Sequence, residues 1–455
     1  MSVIIASVSG VRGIVGDNLT PRNISKFTSA FAEYCRERFK SKKVVVGRDG
    51  RLHGDIISNL VVNNLLLSGF EVVDIGVAPT PTIQIATEEL KAAGGISVTA
   101  SHNPQEWNGL KFLNPDGTFL DEFQVKDLLS IVEKGKFHYE GVEKMRSVIY
   151  DKSWLEKHIA KVLESGLVNL KKIRKRNFKV VVDAVNSSGS IIVPLLLKKL
   201  GCEVIELFCD GSGKFPHKPE PIPENLKQLS KAVKKNNADL GISVDPDTDR
   251  LVLITEEGKP FGEEYTITTV VKNILKNSDS RRKNVTVNLS TTRAVDDVAG
   301  LFGGRVYRSP VGEINVVKEM KKNKSLVGGE GSGGVIIPDI HFGRDSLVGI
   351  AIVLQEFADY DYKVSDYKND LPKYFITKTK IQYSGKPETI LNKVIKKYRG
   401  KDCKITTSDG IKLDFKEHWI HLRKSNTEPI IRIITEAKSE KLAEDIQKEF
   451  LKEIQ

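Results

Sequence analysis

Three aspartates at alternate positions, Asp245, Asp247 and Asp249, are the strongest candidates for chemistry in this sequence. On an extended segment, residues i, i+2 and i+4 face the same way, so their carboxylates converge on one point. Carboxylates that close repel one another unless a cation lies among them, and hard oxygen ligands favour Mg²⁺ over Zn²⁺. The sequence therefore predicts a magnesium site, with water or a phosphate oxygen in the remaining positions.

Two other uses of closely spaced aspartates fit this segment less well. In a calcium-binding EF-hand loop, Glu256 would stand at the twelfth position, but Arg250 occupies the sixth, where the sharp turn requires glycine. An aspartyl nucleophile of the haloacid dehalogenase type requires Thr or Val at the fifth position of its motif, where this chain has Asp249. A phosphatase with Asp245 or Asp247 as nucleophile is the alternative enzyme.

The segment 99–104 contains Ser101, a candidate nucleophile, followed directly by His102. A serine at the end of a strand can attack a substrate if a neighbouring group activates it. Neighbouring side chains on extended backbone point to opposite faces, so we expect Ser101 and His102 to point apart. The chain has no Gly-x-Ser-x-Gly motif, which argues against a hydrolase triad.

A glycine-rich segment, residues 328–334, surrounds one carboxylate, Glu330, and one hydroxyl, Ser332. Residues 329–334 match the Gly-x-Gly-x-x-Gly pattern of dinucleotide-binding loops, but the Val-Ile-Ile-Pro that follows cannot open the helix which that motif requires. Glycines allow a ligand to approach the backbone closely, and a carboxylate accepts hydrogen bonds from hydroxyl groups. We therefore expect this segment to bind a polyol.

A fourth polar cluster, near the C-terminus, is suited to a phosphate group. A guanidinium, hydroxyls and successive backbone N–H groups can together surround a phosphate. The candidate phosphate-binding residues are Arg423, Ser425, Asn426, Thr427 and Arg432.

The elements that must position these residues repeat three times along the chain. In each copy a β-rich run precedes a helix that ends at glycine, and the copies end in further β-rich runs at 95–98, 241–244 and 325–327. Alternating strands and helices predict βαβ units with mainly parallel sheets, in which ligands bind at the carboxyl ends of strands. Chemistry is therefore expected in the loops after these runs, at residues 99–104, 245–250 and 328–334.

Beyond about residue 365 the pattern changes to that of a smaller α+β domain. We expect strands near 374–383, 419–422 and 430–434, and helices near 389–397 and 439–451. The predicted fold is α/β, with three similar mixed α/β domains and a smaller α+β C-terminal domain around a central cleft. The predicted domain limits are residues 1–150, 151–252, 253–365 and 366–455.

Composition narrows the class of protein. Of 455 residues, 40% are hydrophobic, which suits ordinary packed cores. Four scattered cysteines form neither a zinc module nor a disulfide framework and suit a reducing compartment. The sequence has no signal peptide pattern and no apolar run of about 18 residues, so we expect a cytoplasmic protein without a membrane span.

The net charge of +11 suits either a nucleic-acid partner or phosphorylated small molecules. The densest basic run, residues 171–179, has no interleaved aromatic residues for base stacking. We predict that this run is a solvated turn before a strand, and a nucleic-acid binder is the weaker interpretation.

The serine, the three aspartates, the polyol segment and the phosphate cluster together resemble the α-D-phosphohexomutase family over essentially the whole chain. The resemblance implies an enzyme that interconverts a hexose 1-phosphate and a hexose 6-phosphate. The motifs that carry it are Gly10-Val11-Arg12-Gly13, Gly47-Arg48-Asp49, residues 99–104, Asn108-Gly109-Leu110-Lys111, and residues 245–250, 329–333 and 423–429.

The resemblance also implies a role for each candidate residue. The resting enzyme would carry a phosphoserine at Ser101, and Mg²⁺ would be held by that phosphate and by Asp245, Asp247 and Asp249. Transfer of the phosphoryl group to the sugar would give a bound hexose 1,6-bisphosphate. The candidate catalytic residues are Ser101, Lys111 as general acid/base, Arg12 as a cation at the reacting oxygen, Arg250 as a balance for the phosphoserine charge, and His102.

The resemblance also implies which residues bind the substrate. Glu330 and Ser332 match residues that bind sugar hydroxyls, and the cluster at 423–432 matches the site for the non-reacting phosphate. Many relatives have histidine where this chain has Gly334, and His341 is a candidate substitute. The expected partner is a glucosamine, mannose or glucose phosphate, bound by a monomer or homodimer that has no nucleic-acid or membrane partner.

Overall fold

The computed structural model describes residues 5–8, 10–360, 362–382, 387–424 and 430–454. Four β-sheets follow one another along the chain, with helices packed against them. The first sheet contains β1 (Ile5–Ser7), β2 (Gly10–Ile14), β3 (Lys43–Arg48), β4 (Glu71–Val77), β5 (Gly94–Val98), β6 (Trp107–Leu113) and β7 (Val148–Tyr150). Its helices are α1 (Pro21–Arg38), α2 (Gly54–Leu67), α3 (Thr80–Glu89) and α4 (Glu122–Lys134).

The second and third sheets have four strands each. The second sheet and the helices around it are, in chain order, α5 (Trp154–Leu163), α6 (Leu170–Arg176), β8 (Lys179–Asp183), α7 (Gly189–Lys199), β9 (Glu203–Leu207), α8 (Lys227–Lys235), β10 (Leu240–Val244) and β11 (Leu251–Thr255). The third sheet and the helices around it are, in chain order, α9 (Glu263–Lys276), β12 (Asn284–Asn288), α10 (Ala294–Leu301), β13 (Arg305–Ser309), α11 (Glu313–Asn323), β14 (Val327–Glu330), β15 (Gly334–Ile336), α12 (Ser346–Tyr360) and α13 (Val364–Asp370).

A common strand order in the first three sheets confirms the predicted threefold repeat. The orders are β4-β3-β5-β6, β9-β8-β10-β11 and β13-β12-β14-β15. In each sheet three of these strands are parallel, and the fourth is an antiparallel strand joined to the third by a short loop. The three equivalent loops between those last two strands carry the serine, the aspartates and the glycine-rich segment.

The fourth sheet is antiparallel, with the order β16-β20-β19-β18-β17. The sequence predicted three of its strands and both helices, but not the hairpin of β17 and β18, because strands of three and four residues are too short to show a period. Its elements are β16 (Phe375–Gln382), α14 (Pro387–Tyr398), β17 (Lys404–Thr406), β18 (Ile411–Asp414), β19 (Trp419–Lys424), β20 (Ile430–Ala437) and α15 (Glu440–Ile454).

Three expectations about local structure need correction. The basic run is largely the short helix α6, whose Ile173 is buried while most of its cations are exposed, so the predicted turn was wrong. Two predicted domain limits fall inside regular elements, residue 252 within β11 and residue 365 within α13. Residues 328–330 belong to β14, so only residues 331–333 of the glycine-rich segment form a loop.

The hydrophobic core of the described residues is divided into clusters, of which one fills the first domain around Val98 and Leu110 and two others bear on how the domains meet. One continuous cluster crosses the first three sheets and includes Val45, Val182 and Val287. A separate cluster fills the fourth domain and includes Leu413 and Leu422. Helix α12, buried on nearly all sides, packs against α5, α6 and α9 within the first cluster. No helix in the described part of the chain is long and apolar enough to cross a membrane.

A buried histidine, His158 of α5, joins the first and third domains. Its Nε2 lies 2.8 Å from Asp345 Oδ2 and its Nδ1 lies 2.9 Å from the hydroxyl of Thr82. The second Asp345 oxygen accepts a hydrogen bond of 2.8 Å from the backbone N–H of Leu347 at the start of α12. His158 therefore lies within hydrogen-bond distance of a buried carboxylate that also caps the central helix.

We predict that His158→Ala destabilises the protein by about 3 kcal/mol, because it removes a hydrogen-bond partner of a buried carboxylate and leaves a cavity. The free energy of unfolding is measured by urea denaturation. His138→Ala is the matched control, since that imidazole is 55% exposed. Equal denaturation midpoints for the two variants would contradict the role given to His158.

Candidate active site

The serine loop, residues 99–104, follows the buried strand β5 and holds Ser101 in an unusual conformation. Ser101 has a φ of 51°, in the left-handed region that non-glycine residues rarely adopt. Its backbone N–H donates to the Thr99 hydroxyl at 2.9 Å, and that hydroxyl donates to Asp49 at 2.7 Å. Strain of this kind persists only where surrounding contacts impose it, and it is common at functional sites.

Arg51 supplies the largest share of those contacts, and sequence reasoning missed it. The side chain is fully buried, and its Nε donates to Asp49 at 3.0 Å. Both terminal nitrogens donate to backbone carbonyls at distances between 2.6 and 2.9 Å. The only available signal was its place two residues after Asp49 in a recognised motif. The four carbonyls are those of Ser101, Asn103, Pro104 and Trp107.

The metal loop, residues 245–250, brings its three aspartates together. All three are buried, and one carboxylate oxygen from each lies within 4.8 Å of the other two. The loop is a turn rather than the extended segment we expected: Thr248 has a φ of 59°, and its N–H donates to the Asp245 carbonyl at 2.9 Å. The predicted convergence is therefore present, but a turn produces it.

The metal loop can hold a hard divalent cation. Among the described residues, Asp247 Oδ1 and Asp249 Oδ1 are buried oxygens with no hydrogen-bond partner. Burial and repulsion from Asp249 and Asp247 raise the pKa of Asp245 well above its ordinary value. A cation among these oxygens would relieve that repulsion, and an all-oxygen donor set suits Mg²⁺.

The serine and metal loops meet across the boundary between the first and second domains. The Ser101 hydroxyl donates to Asp245 Oδ2 at 3.0 Å. Thr80, at the start of α3, adds a second link through its hydroxyl, which donates to Asp247 Oδ2 at 2.7 Å. A group attached to Ser101 would therefore lie beside the carboxylates.

Lys111 and Arg250 supply positive charge next to the aspartates. Lys111 lies on β6, and its Nζ is 2.5 Å from Asp247 Oδ2 and 3.4 Å from Asp249 Oδ2. Burial alone would lower the pKa of Lys111, but Asp247 and Asp249 outweigh it and raise that pKa. Arg250 Nε lies 3.9 Å from both Asp245 Oδ2 and Asp249 Oδ1.

Arg12 reaches the serine loop from β2. It pairs with Gly109 of β6, where a side chain is excluded because a Cβ would lie 2.4 Å from the Val11 carbonyl oxygen. The Arg12 guanidinium donates to the Asn103 side chain at 3.1 Å. The glycine thus lets β2 approach closely enough to bring a cation to the loop.

His102 is closer to Ser101 than we predicted. Its Nδ1 lies 3.4 Å from the Ser101 hydroxyl oxygen. The expectation that the two side chains point apart was wrong, because the left-handed backbone at Ser101 is not extended. Burial and the nearby cations Arg250 and Arg12 lower the pKa of His102 well below its usual value, which favours the neutral imidazole.

Glu330 lies at the end of β14, and Ser332 lies at the partly exposed tip of the hairpin to β15. The hairpin pairs Glu330 with Gly334. Glu330 Oε1 accepts hydrogen bonds from the Asn288 amide and the Gly312 N–H, both at 2.9 Å. The carboxylate is therefore held in one orientation at the edge of the third sheet.

The side chain beside Gly334 is Arg344, and His341, the expected substitute for a histidine at this position, lies elsewhere. His341 is buried, and its Nε2 lies 3.2 Å from Asp345 Oδ2, in the network that includes His158. Within the described part of the chain, its side-chain polar contact is with Asp345 and not with Glu330, Ser101 or the metal loop. Arg344, which sequence reasoning missed, lies against Gly334 and donates to Glu330 at 2.8 Å and to Asp249 at 2.6 Å.

The structure describes two of the five candidate phosphate-binding residues. Arg423 and Arg432 are directly opposite on β19 and β20, an arrangement of like charges that is unfavourable unless an anion lies near them. The Arg423 Nε donates to Asp409 Oδ2 at 2.8 Å, and the same oxygen accepts the Val311 N–H at 2.9 Å. Ser425, Asn426 and Thr427 lie outside the described residues.

Sequence comparison matches the whole chain to one family. Four family models match in order: the three alpha/beta/alpha domains and the C-terminal domain of phosphoglucomutase/phosphomannomutase. They match residues 4–139, 156–258, 263–375 and 384–453. The resemblance and the four-domain fold predicted from sequence are thus confirmed.

Individual relatives agree with this match. The chain is 37% identical to a phosphoglucomutase/phosphomannomutase of Thermococcus kodakarensis, over 96% of this chain and 95% of the relative. It is 35% identical to a probable phosphoglucosamine mutase of Methanopyrus kandleri, over 97% and 96%. A crystal structure of a phosphoglucomutase/phosphomannomutase family protein from Burkholderia thailandensis superposes with a TM-score of 0.86 at 26% identity, covering 99% of this chain and 97% of that one. The chain therefore belongs to the phosphoglucomutase/phosphomannomutase group of the α-D-phosphohexomutase family, whose members are intramolecular phosphotransferases.

Proposed function

We propose that this phosphohexomutase works through a phosphoserine at Ser101 and a bound hexose 1,6-bisphosphate. The observation that carries the proposal is the 3.0 Å hydrogen bond between the Ser101 hydroxyl and Asp245, which joins a nucleophile of one domain to the acidic cluster of the next. Ser101 gives its phosphoryl group to the free hydroxyl of a hexose phosphate. The sugar then turns around, and its other phosphate returns to Ser101.

We propose that Asp245, Asp247, Asp249 and the phosphate on Ser101 hold one Mg²⁺. The unpartnered buried oxygens of Asp247 and Asp249 support this assignment. When bound, the ion supplies positive charge that stabilises the phosphoryl group during transfer.

We propose that four neighbouring side chains supply proton exchange, positive charge and a hydrogen bond for the phosphoryl transfer. Lys111, with its buried ammonium beside the aspartates, is the candidate for exchanging a proton with the reacting hydroxyl. Arg12 and Arg250 balance the negative charge of the phosphoserine, which is about −1.5 to −2. His102, held neutral and next to Ser101, can accept or donate a hydrogen bond at the reacting oxygen.

The sugar is bound between two fixed anchors. We propose that Glu330 and Ser332 bind its hydroxyls in either orientation and that the cluster at 423–432 binds the phosphate that is not reacting. A carboxylate can accept hydrogen bonds from both hydroxyl and ammonium groups. We therefore propose glucose, mannose and glucosamine phosphates as substrates, in keeping with the names of the relatives. The phosphate residues are Arg423, Ser425, Asn426, Thr427 and Arg432.

We also propose limits for the four domains. These limits lie after β7, between β11 and α9, and between α13 and β16.

We propose a cytoplasmic location for the protein, and the four free cysteines are in keeping with it. The enzyme acts as a monomer or a homodimer.

We predict that the active enzyme carries acid-stable phosphate on Ser101 and that Ser101→Ala abolishes mutase turnover while the fold is kept. The phosphate is located by peptide mass spectrometry, and the fold is checked by circular dichroism. Ser58→Ala, at another buried serine of the first domain, is the control and keeps full activity. Full activity in Ser101→Ala would end the proposal.

The same preparation distinguishes the alternative phosphatase. An aspartyl phosphate at Asp245 or Asp247 is an acyl phosphate, which hydroxylamine cleaves, whereas a phosphoserine survives that treatment. We expect the label from a ³²P-hexose bisphosphate to survive. Release of the label by hydroxylamine would favour the phosphatase.

We predict that Arg51→Lys lowers kcat by about 10–100-fold, the usual effect of removing a group that orients catalytic residues. A lysine ammonium cannot replace the five N–H groups with which Arg51 spans Asp49 and four carbonyls. The KM for the hexose phosphate is expected to change little, since Arg51 does not face the sugar. Arg48→Lys, at the neighbouring and partly exposed arginine, is the control; an equal kcat for the two variants contradicts the prediction.

We predict measurable turnover of glucose, mannose and glucosamine 1-phosphates, because Glu330 can accept from every substituent that distinguishes them. Initial rates are compared side by side with a trace of the matching 1,6-bisphosphate as primer. Turnover of one sugar alone would show that another group selects the substituent at C2.

A further inference from the structure

We infer that Arg344 is a positioning residue that holds Glu330 in a fixed relation to Asp249 and that it can do so because residue 334 is glycine. This inference deepens the proposed function, since it concerns how the sugar-binding and phosphoryl-transfer groups are kept in register. None of the roles assigned above from the resemblance includes Arg344.

The Arg344 guanidinium lies among three buried carboxylates. Each of its nitrogens contacts a different one: Nε to Glu313 at 3.1 Å, one terminal nitrogen to Glu330 at 2.8 Å, and the other to Asp249 at 2.6 Å. Its side chain is 10% exposed. A planar guanidinium can span three acceptors in fixed directions, which a lysine ammonium on a flexible chain cannot do.

These three contacts join the second and third domains, and Glu313 extends the network to the first. Asp249 belongs to the metal loop of the second domain, and Glu330 ends β14 of the third. Glu313 also accepts a hydrogen bond of 3.1 Å from the Gln84 side chain of the first domain. Arg344 thus contacts both Glu330 and Asp249 directly and connects the orientation of one carboxylate to that of the other.

Glu330 depends on this contact for half of its anchoring. Its Oε1 is held by Asn288 and Gly312, but its Oε2 is held by Arg344. Without Arg344 the carboxylate loses the charged partner of its Oε2 in a buried place, where an uncompensated charge is costly. It would then reorient or recruit water, and its hydrogen bonds to sugar hydroxyls would weaken.

Gly334 provides the space for the Arg344 side chain. A Cβ placed on Gly334 would lie 2.3 Å from Cδ, 3.0 Å from Cγ and 3.4 Å from Nε of Arg344, and these are its three nearest atoms. The backbone of Gly334 is outside the left-handed region, so alanine is compatible with its conformation. A methyl group at position 334 should therefore act by displacing Arg344.

The test is a double-mutant cycle of Gly334→Ala and Arg344→Ala on the phosphoserine form of the enzyme with Mg²⁺. We expect each single variant to raise the KM for hexose 1-phosphate about tenfold or more. We expect the double variant to show the same KM as Arg344→Ala, because both changes remove one interaction. Gly300→Ala is the matched control, since nothing lies within 4 Å of a Cβ at that position.

The melting temperature of each variant shows whether its fold is kept. The ratio of kcat to KM effects then separates a positioning role from a folding role, and a third variant, Arg344→Lys, separates positioning from charge. A role in folding alone would lower the active fraction, and hence kcat, but would leave KM unchanged. Arg344→Lys keeps the charge and is expected to keep the raised KM; restoration of the original KM by lysine would overturn a positioning role.

Two further results would overturn the inference while leaving the proposed function intact. One is a KM for Gly334→Ala within twofold of that for Gly300→Ala, and the other is multiplication of the two single effects in the double variant. Absence of mutase turnover in the unaltered enzyme would overturn both the proposed function and this inference.

Discussion

Mutual repulsion among three buried aspartates is the constraint on which the rest of the site depends. Asp245, Asp247 and Asp249 have no measurable exposure, and carboxylates buried together are unstable without positive charge beside them. That charge comes from separate parts of the fold: Lys111 from the first sheet and Arg344 from the loop before α12 of the third domain. The acidic cluster is therefore complete only when three domains are packed together.

The two loops that meet at this cluster share their supports. Ser101 and Thr248 both have left-handed backbones, which cost about 1–3 kcal/mol each in non-glycine residues. Ser187 donates its hydroxyl to the Pro246 carbonyl of the metal loop at 2.8 Å and accepts the Gly50 N–H at 2.9 Å. Gly50 adjoins Arg51, which holds the serine loop. One set of polar contacts thus fixes the nucleophile and its acidic partner together.

The sequence predicted features that are local or repeated. The aspartates lie within five residues of one another, and the threefold pattern places their loop and the serine loop at equivalent strand ends, which the structure brings together as expected. Arg51 and Arg344 were missed because their partners lie up to 95 residues away along the chain and nothing near them marks those partners. The approach of His102 to Ser101 was missed because it depends on a backbone conformation that residue type does not favour.

The separate hydrophobic core of the C-terminal domain affects how this domain can move when a bound sugar reverses its orientation. Leu413 and Leu422 pack within that domain and are not continuous with the core of the first three. A swivel of the domain would therefore break polar contacts, such as the hydrogen bond from Val311 to Asp409 and the ion pair of Arg293 with Asp414, at about 1 kcal/mol for each hydrogen bond, without dividing either apolar cluster. Within the described residues, hydrogen bonds and ion pairs rather than a shared apolar core thus hold the C-terminal domain against the other three.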